Sequence, residues 1–399
     1  MRIRIIDFVA NPGGGIKFSS ELIKSILSID NSFKITIVSC GEALEKYRLY
    51  FEDNNTSVEF IEIYPLRDWK RKSSRFFNVP YTSRIMNFFG FGSRWHIPIP
   101  QEAFKNCDAV ILPWLHQHRI PSNLSVKIIG SFHDAIPFMF EGILSPKFLK
   151  EELYSYKSWV ANKNLKIVVS SNSTIKTIRD LFNTPENRFE LIPVSGEHYK
   201  FDTYKENQFY LWQSQEYYFC PANTSPHKNH EILFNGFKLS NFKYPLAISG
   251  SGTLLMPDIG RNKVLLEILK KNNLIIGNDI LNLGYINDEC YYSLLSKCRV
   301  LIMPTKAEGG GSFPICEAMQ LGIPVICSNI PVILEQLDRI GGEVILFDVN
   351  NPISLSNAIK ELENNYSFYK KRAIDQIRFL KTRTWEEVAK EYIKLISYE

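Results

Sequence analysis

The chain lacks several features that would narrow its role at once. No uninterrupted run of about 18 apolar residues occurs, so no segment reads as a membrane-spanning helix. The first residues read as a strand, without an apolar core and a small-residue cleavage site after it, so no secretory leader is expected. The seven cysteines are scattered without CxxC or metal-ligand spacing, and most lie inside apolar runs (Cys107, Cys220, Cys316, Cys327). Buried free thiols are expected, not a disulfide framework or a zinc site. Repeats of solenoid length and low-complexity tracts are missing as well. So is an excess of one charge: 47 basic against 42 acidic side chains leave +5, too small a bias to point to nucleic acid.

What the chain does have is a rhythm. Its 399 residues exceed one ordinary core, which predicts two domains. Short β-branched runs alternate with helix-like segments throughout. The first half offers strands at "RIRIIDFV", "FKITIVS", "VEFIEIY", "AVILPW", "VKIIGSF", "LKIVVSS" and "FELIPV", and helices at "SSELIKSILSI" and "NSTIKTIRDLF". The second half offers "YYFCPAN", "YPLAISG", "NLIIGN", "VLIMP", "PVICS" and "VILFDV". Several of these runs are apolar on both faces, as strands of a covered parallel sheet must be. Two series of βα units predict an α/β chain of two Rossmann-like domains, residues 1–200 and 210–380. The break is expected in the polar stretch 196–215. "WEEVAKEYIKLISY" predicts an amphipathic C-terminal helix within 381–399, with Trp385, Val388, Tyr392 and Leu395 along one face.

In such sheets ligands bind beyond the carboxyl ends of the strands, and four motifs stand there. "NPGGGIKFSSELIKSIL" brings Gly13, Gly14 and Gly15 to a strand-to-helix turn, where bare backbone and a helix N-terminus suit an anion. Its spacing is not GxGxxG, so a nicotinamide site is not expected. "KIIGSFHDAIPFMF" places His133 and Asp134 after a buried strand; the imidazole is suited to donate to a substrate hydroxyl, with Asp134 as its orienting neighbour. "CPANTSPHKNHEILFNGF" sets Lys228 just before a helix, where its charge adds to the dipole and suits a diphosphate. "KAEGGGSFPICEAMQLGIPVICSN" brackets three glycines with Glu308 and Glu317. Ser312 is expected to cap the helix that follows and Pro314 to occupy its first turn. Glu317 then stands about one turn in, as a carboxylate of the first helical turn, where it can accept two vicinal hydroxyls. Each motif also has a plain structural reading: a tight turn, a loop-capping histidine, a solvated lysine, a carboxylate that complements the helix dipole.

The segment "EGGGSFPICEAMQLGIPVICSNIPVILEQL" resembles the signature of the retaining glycosyltransferases of family 4, which have the GT-B fold. It is similar to their E-x7-E motif followed by EAMA-x-G-x-PV. "HKNHEILFNGFK", "NLGYINDECYYSLLSKCRVLIMPTKAE", "SFHDAIPFMF", "IVVSSNSTIKTIRDLF" and "TWEEVAKEYIKL" resemble further family segments in the family's order. The resemblance implies two Rossmann-like domains facing across a cleft, with the C-terminal helix returning to the first. It implies catalytic roles for His133, Asp134 and Glu308. It places Gly14, Gly15, Asn223, Lys228, Gly310, Gly311, Ser312, Phe313 and Glu317 around a nucleotide-sugar donor such as GDP-mannose or a UDP- or dTDP-hexose. Glu317 would hold the ribose and Lys228 the diphosphate, while the amides of Gly310, Gly311 and Ser312 would hold sugar hydroxyls or phosphate. The implied chemistry is retaining transfer by front-side attack, with no cofactor and no metal, since nothing here resembles a DxD pair. Two departures are visible: eight residues separate Glu308 from Glu317 where the family has seven, and His227 stands where many members carry arginine.

The stretch "RDWKRKSSRFFNVPYTSRIMNFFGFGSRW" interleaves Arg67, Lys70, Arg71, Lys72, Arg75, Arg84 and Arg94 with Trp69, Phe76, Phe77, Phe88, Phe89, Phe91 and Trp95. Basic and aromatic residues together suit an anionic membrane surface or a lipid-linked acceptor; a basic face over an aromatic core is the plain alternative. The expected partners are therefore a nucleotide-sugar donor, a glycan or lipid-linked acceptor, and a peripheral membrane contact through residues 67–95. The expected location is cytoplasmic, at the inner face of the cytoplasmic membrane, in surface polysaccharide synthesis. A nucleotide-sugar epimerase of the same fold and a non-catalytic nucleotide-sugar-binding partner are the rival readings.

Overall fold

A computed structural model of the chain describes residues 1–8, 14–52, 58–64, 97–121, 124–140, 146–197, 216–257 and 262–397. The basic and aromatic stretch 67–95 lies outside the described residues, as does Gly13. The chain divides into two units: Met1–Val194 with Thr384–Glu399, and Ser195–Arg383. Most of the polar stretch 196–215 lies outside the described residues.

In the first unit the strands are β1 (Arg2–Ile6), β2 (Lys34–Ser39), β3 (Val58–Glu62), β4 (Ile97–Pro98), β5 (Ala109–Leu112), β6 (His118–Arg119), β7 (Lys127–Ser131), β8 (Leu165–Val169) and β9 (Phe189–Leu191). Seven of them form one parallel sheet in the order β3-β2-β1-β5-β7-β8-β9, with β4 and β6 paired separately. β5 is buried along its whole length, which its unbroken apolar run requires. The Trp385–Ser397 helix packs on the Gly14–Ile29 helix and beside β7, burying Trp385, Val388, Ala389, Tyr392 and Ile396 in the core on that face. Ile396, and not Leu395, ends the stripe, because it stands four residues after Tyr392; Leu395 is half-buried. Tyr392 and Ser131 hydroxyls meet at 2.7 Å, satisfying both inside this core.

The second unit holds β10 (Tyr218–Pro221), β11 (Leu246–Ser249), β12 (Ile280–Gly284), β13 (Val300–Met303), β14 (Val325–Ser328) and β15 (Ile345–Phe347). They form a parallel sheet in the order β12-β11-β10-β13-β14-β15. One strand differs from expectation. "NLIIGN" is a helix-ending turn, and the strand is the next stretch, "ILNLG". Asn273 and Gly277 take φ of +49° and +89°, and the Asp279 carboxylate accepts the Ile275 N–H at 2.8 Å. That turn chemistry outweighs the apolar run and leaves Ile275 exposed.

Arg299, at the entry to β13, ties the sheet to the Pro352–Asn364 helix. Its Nε and Nη2 donate to the two Glu363 oxygens at 2.7 and 2.9 Å, Nη1 donates to Glu216 at 2.7 Å, and the guanidinium lies 3.5 Å from the Tyr366 ring centre. Removing the cation leaves the largely buried Glu363 carboxylate without its counter-charge, with the Tyr218 hydroxyl still donating to it at 3.0 Å. Arg299→Ala is therefore expected to lower unfolding stability by about 3 kcal/mol, read as a fall in the urea midpoint at unchanged m-value.

Candidate functional site

The strand order of the second sheet reverses between β10 and β13, so loops from adjacent strands diverge there and leave a crevice. After β10, the Asn223 Oδ1 accepts the Ser225 N–H at 3.0 Å, and Pro226–Lys228 form a single 3-10 turn. Asn229, at φ +58°, redirects the chain into the His230–Leu239 helix, so Lys228 precedes that helix by two residues. After β13, the Lys306 N–H donates to the His227 carbonyl at 2.7 Å, joining the two loops. Across that junction the Lys228 Nζ donates to Glu308 Oε1 at 2.6 Å. The separation is that of a charge-assisted hydrogen bond. Glu308 is thus aimed at Lys228, a partner that sequence spacing did not indicate.

The glycine loop leads into the Phe313–Gln320 helix, which has Pro314 in its first turn and half-buried Phe313 as its first residue. Two expectations are corrected here. Ser312 makes no side-chain cap; its backbone N–H and C=O are both paired with the Gln336 carboxamide, at 2.9 and 3.0 Å. The Ser312 amide is therefore taken, while its hydroxyl is buried with no protein partner. Glu317 stands in the second helical turn, not the first, and is 3% exposed. One carboxylate oxygen accepts the Tyr292 hydroxyl at 2.7 Å, and the other accepts the Tyr291 hydroxyl. Burial, and then the Glu317 charge, holds the Tyr291 phenol well above its ordinary pKa, so it stays a donor. Both tyrosines lie on the Asp288–Lys297 helix, where adjacent aromatics read in sequence as packing. Half-buried Arg339 brings Nη2 to 3.5 Å from the Gly310 carbonyl. Neither Gln336 nor Arg339 had a signal in the sequence, because each reaches the loop from a helix more than 20 residues downstream.

In the first unit the sheet order reverses between β1 and β5, and β7 lies next to β5. His133 follows β7 as expected, but both its ring nitrogens already have protein partners. Nε2 lies 3.0 Å from the Pro113 carbonyl, which can only accept, so Nε2 carries the proton; Nδ1 then accepts from the Ser170 hydroxyl at 2.8 Å. The ring stacks near Trp114 at 5.7 Å and meets the Phe18 edge at 4.7 Å. Burial pushes its pKa down to about 4 against the opposing pull of Asp134, so the ring is neutral at pH 7. In this arrangement it has no N–H left for a substrate. Nor does Asp134 orient it: the Asp134 carboxylate caps the Ile136–Met139 turn through the Ile136 N–H at 3.0 Å. Gly14 and Gly15 open the Gly14–Ile29 helix, and the Gly15 carbonyl accepts the Ser19 hydroxyl at 2.9 Å.

The residue that grips the Asp134 loop is His116, which sequence reasoning missed. Its Nδ1 lies 2.5 Å from Glu152, its Nε2 donates to the Asp134 carbonyl at 3.0 Å, and Glu152 is fully buried. Burial alone would depress this imidazole, but the Glu152 charge and hydrogen bond, helped by Asp134, raise it to about 9. His116 is protonated in both folded and unfolded states below about pH 6.5; above it the unfolded chain releases its proton first. Its stabilising contribution is therefore complete below about pH 6.5 and lost as pH rises towards 9. His133 has the opposite sign, opposing folding as pH falls from about 6.5 towards 4. The wild type is expected to lose up to about 3 kcal/mol more than His116→Gln between pH 6.5 and 9, in urea titrations at each pH.

Residues 205–378 match the family model described as glycosyl transferases group 1. Among curated relatives, the O-antigen biosynthesis glycosyltransferase WclY of Escherichia coli is 31% identical over 125 residues, 29% of this chain and 33% of that one. The chain thus spans about a third of the length of that relative. The O-antigen chain mannosyltransferase B of Escherichia coli is 26% identical over 285 residues, 67% of this chain and 69% of that one. The crystal structure of Anabaena Alr3699/HepE in complex with UDP and glucose superposes with a TM-score of 0.65 at 15% identity, covering 100% of this chain and 99% of that one. This chain therefore has the GT-B fold, and its residues 205–378 match the group 1 glycosyl transferases.

Proposed function

We propose that the protein is a retaining glycosyltransferase that moves a hexosyl group from a nucleoside diphosphate sugar to a glycan or lipid-linked saccharide in surface polysaccharide synthesis. The observation that carries this reading is the Lys228–Glu308 pair at the β10/β13 crevice, in the unit that also presents the Glu317 carboxylate and the unpartnered Ser312 hydroxyl. The relatives' names, an O-antigen glycosyltransferase and a mannosyltransferase, support the setting. The UDP and glucose bound by the structural relative support a nucleotide-sugar donor.

In the proposed reaction the bond from the anomeric carbon to the β-phosphate oxygen breaks, and one to the acceptor oxygen forms on the same face. The acceptor proton passes to the departing diphosphate. Lys228, Arg339 and the N-terminus of the Phe313–Gln320 helix supply positive potential for that leaving group, which favours a reaction without a metal. Glu317 accepts the ribose hydroxyls, and Glu308 holds Lys228 in place until phosphate replaces it. His133, neutral and held by Pro113 and Ser170, lends shape and a polar edge to the acceptor side.

A thermal-shift screen of UDP-, GDP-, dTDP- and ADP-sugars tests the donor class: one base series is expected to raise Tm, by mass action. No rise with any of the four overturns the reading. Nucleotide release that needs an acceptor extract marks a transferase; release or sugar interconversion without one marks an epimerase.

A further inference from the structure

We propose that Gln336 is a positioning residue for the sugar end of the donor, an inference that rests on the nucleotide-sugar reading above. Gln336 lies on the Pro331–Ile340 helix and is 3% exposed. Its Oε1 accepts the Ser312 N–H at 2.9 Å, its Nε2 donates to the Ser312 carbonyl at 3.0 Å, and Nε2 also lies 2.9 Å from Cys316 Sγ. One carboxamide thus clamps both backbone groups of the residue that joins loop to helix. The contact is close enough to decide the residue before it. Gly311 takes φ +110°, and a Cβ there would fall 2.5 Å from the Gln336 amide carbon. A side chain at 311 is excluded twice, by backbone conformation and by the carboxamide.

The clamp sits where the chain has one residue more than the E-x7-E spacing. An added glycine lengthens the path from Glu308 to Glu317 and would let the loop take several courses. Gln336 selects one. By occupying Ser312 N–H and C=O, it leaves the N–H groups of Gly310 and Gly311 without protein partners among the described residues, beside the unpartnered Ser312 hydroxyl. These three groups are donors on one short stretch of chain and are suited to the hydroxyl oxygens of a sugar. Ribose recognition lies instead with Glu317, whose carboxylate is set by Tyr291 and Tyr292. Loop positioning and nucleoside recognition are therefore separable by mutation.

The test compares Gln336→Leu with the wild type in binding two pairs of probes, GDP-mannose against GDP and UDP-glucose against UDP, by titration calorimetry, alongside initial transfer rates. Loss of the clamp is expected to weaken the preferred nucleotide sugar about tenfold or more, with the matching nucleoside diphosphate held within about twofold. Gln336→Glu keeps the size and the Ser312 N–H bond but loses both donors; it is expected to fall between the two and serves where Gln336→Leu does not fold. Equal weakening of sugar and nucleoside diphosphate, or no weakening of either, overturns the proposal. Where the donor screen selects dTDP or ADP, the sugar and nucleoside diphosphate of that base replace these pairs; a wild type that binds none of the UDP-, GDP-, dTDP- and ADP-sugars overturns the functional reading itself, and so is distinguishable.

Discussion

Glu317→Ala is expected to weaken nucleoside diphosphate binding by about two orders of magnitude or more. Two hydrogen bonds from ribose hydroxyls to a carboxylate are lost, each worth about 1.5–3 kcal/mol. The loss should be specific. Wild-type protein should prefer GDP or UDP over the 2′-deoxy nucleotide, and the variant should not distinguish them. A second effect follows from the fold alone. The Tyr291 and Tyr292 hydroxyls both donate to Glu317, so alanine removes a buried acceptor that two phenols share, at a cost of about 1–3 kcal/mol in urea unfolding. Glu317→Gln keeps an acceptor for one tyrosine and should recover most of that stability but little of the affinity. Affinity unchanged in Glu317→Ala would remove this carboxylate from the ribose site.

Lys228→Met should reduce the transfer rate by about two to three orders of magnitude, the scale of removing one preorganised donor from a developing anion. It should also destabilise the protein, because Glu308, with its side chain only 11% exposed, loses its counter-charge. The double variant Lys228→Met, Glu308→Gln separates the two effects. Stability is expected to return towards wild type, since an uncharged pair carries no unmatched charge. The transfer rate should remain low, because the leaving diphosphate still lacks its lysine. A double variant that regained activity as well as stability would show that Lys228 serves the fold and not the reaction.

Much of this was legible in the sequence for physical reasons. Covered parallel strands must be apolar on both faces, so all but one of the strand-like runs are strands. "NLIIGN" is the exception because Asn273, Gly277 and Asp279 build a turn whose local hydrogen bonds outweigh a short apolar run. The C-terminal helix was readable from its period, with an error of one position at Leu395. The GxGxxG pattern was absent, yet Gly309, Gly310 and Gly311 still mark the loop that follows β13 at the carboxyl end of the second sheet.

The sequence by itself determined the two βα series, the strand ends from which loops project, and the identities of Lys228, Glu308, Ser312 and Glu317 as groups with chemistry to offer. Only the tertiary structure decided what those groups face. It paired Glu308 with Lys228, 80 residues apart, and gave Glu317 to two tyrosines. It turned His133 to Pro113 and Ser170, set the buried His116–Glu152 pair beneath the neighbouring loop, and brought Gln336 to the backbone of Ser312. Hydrophobic period is a local property, set by which face of each element is covered, and so it can be read along the chain. A side-chain partner is chosen by strand order and helix packing, which bring distant residues within 3 Å, and no spacing along the chain encodes that choice.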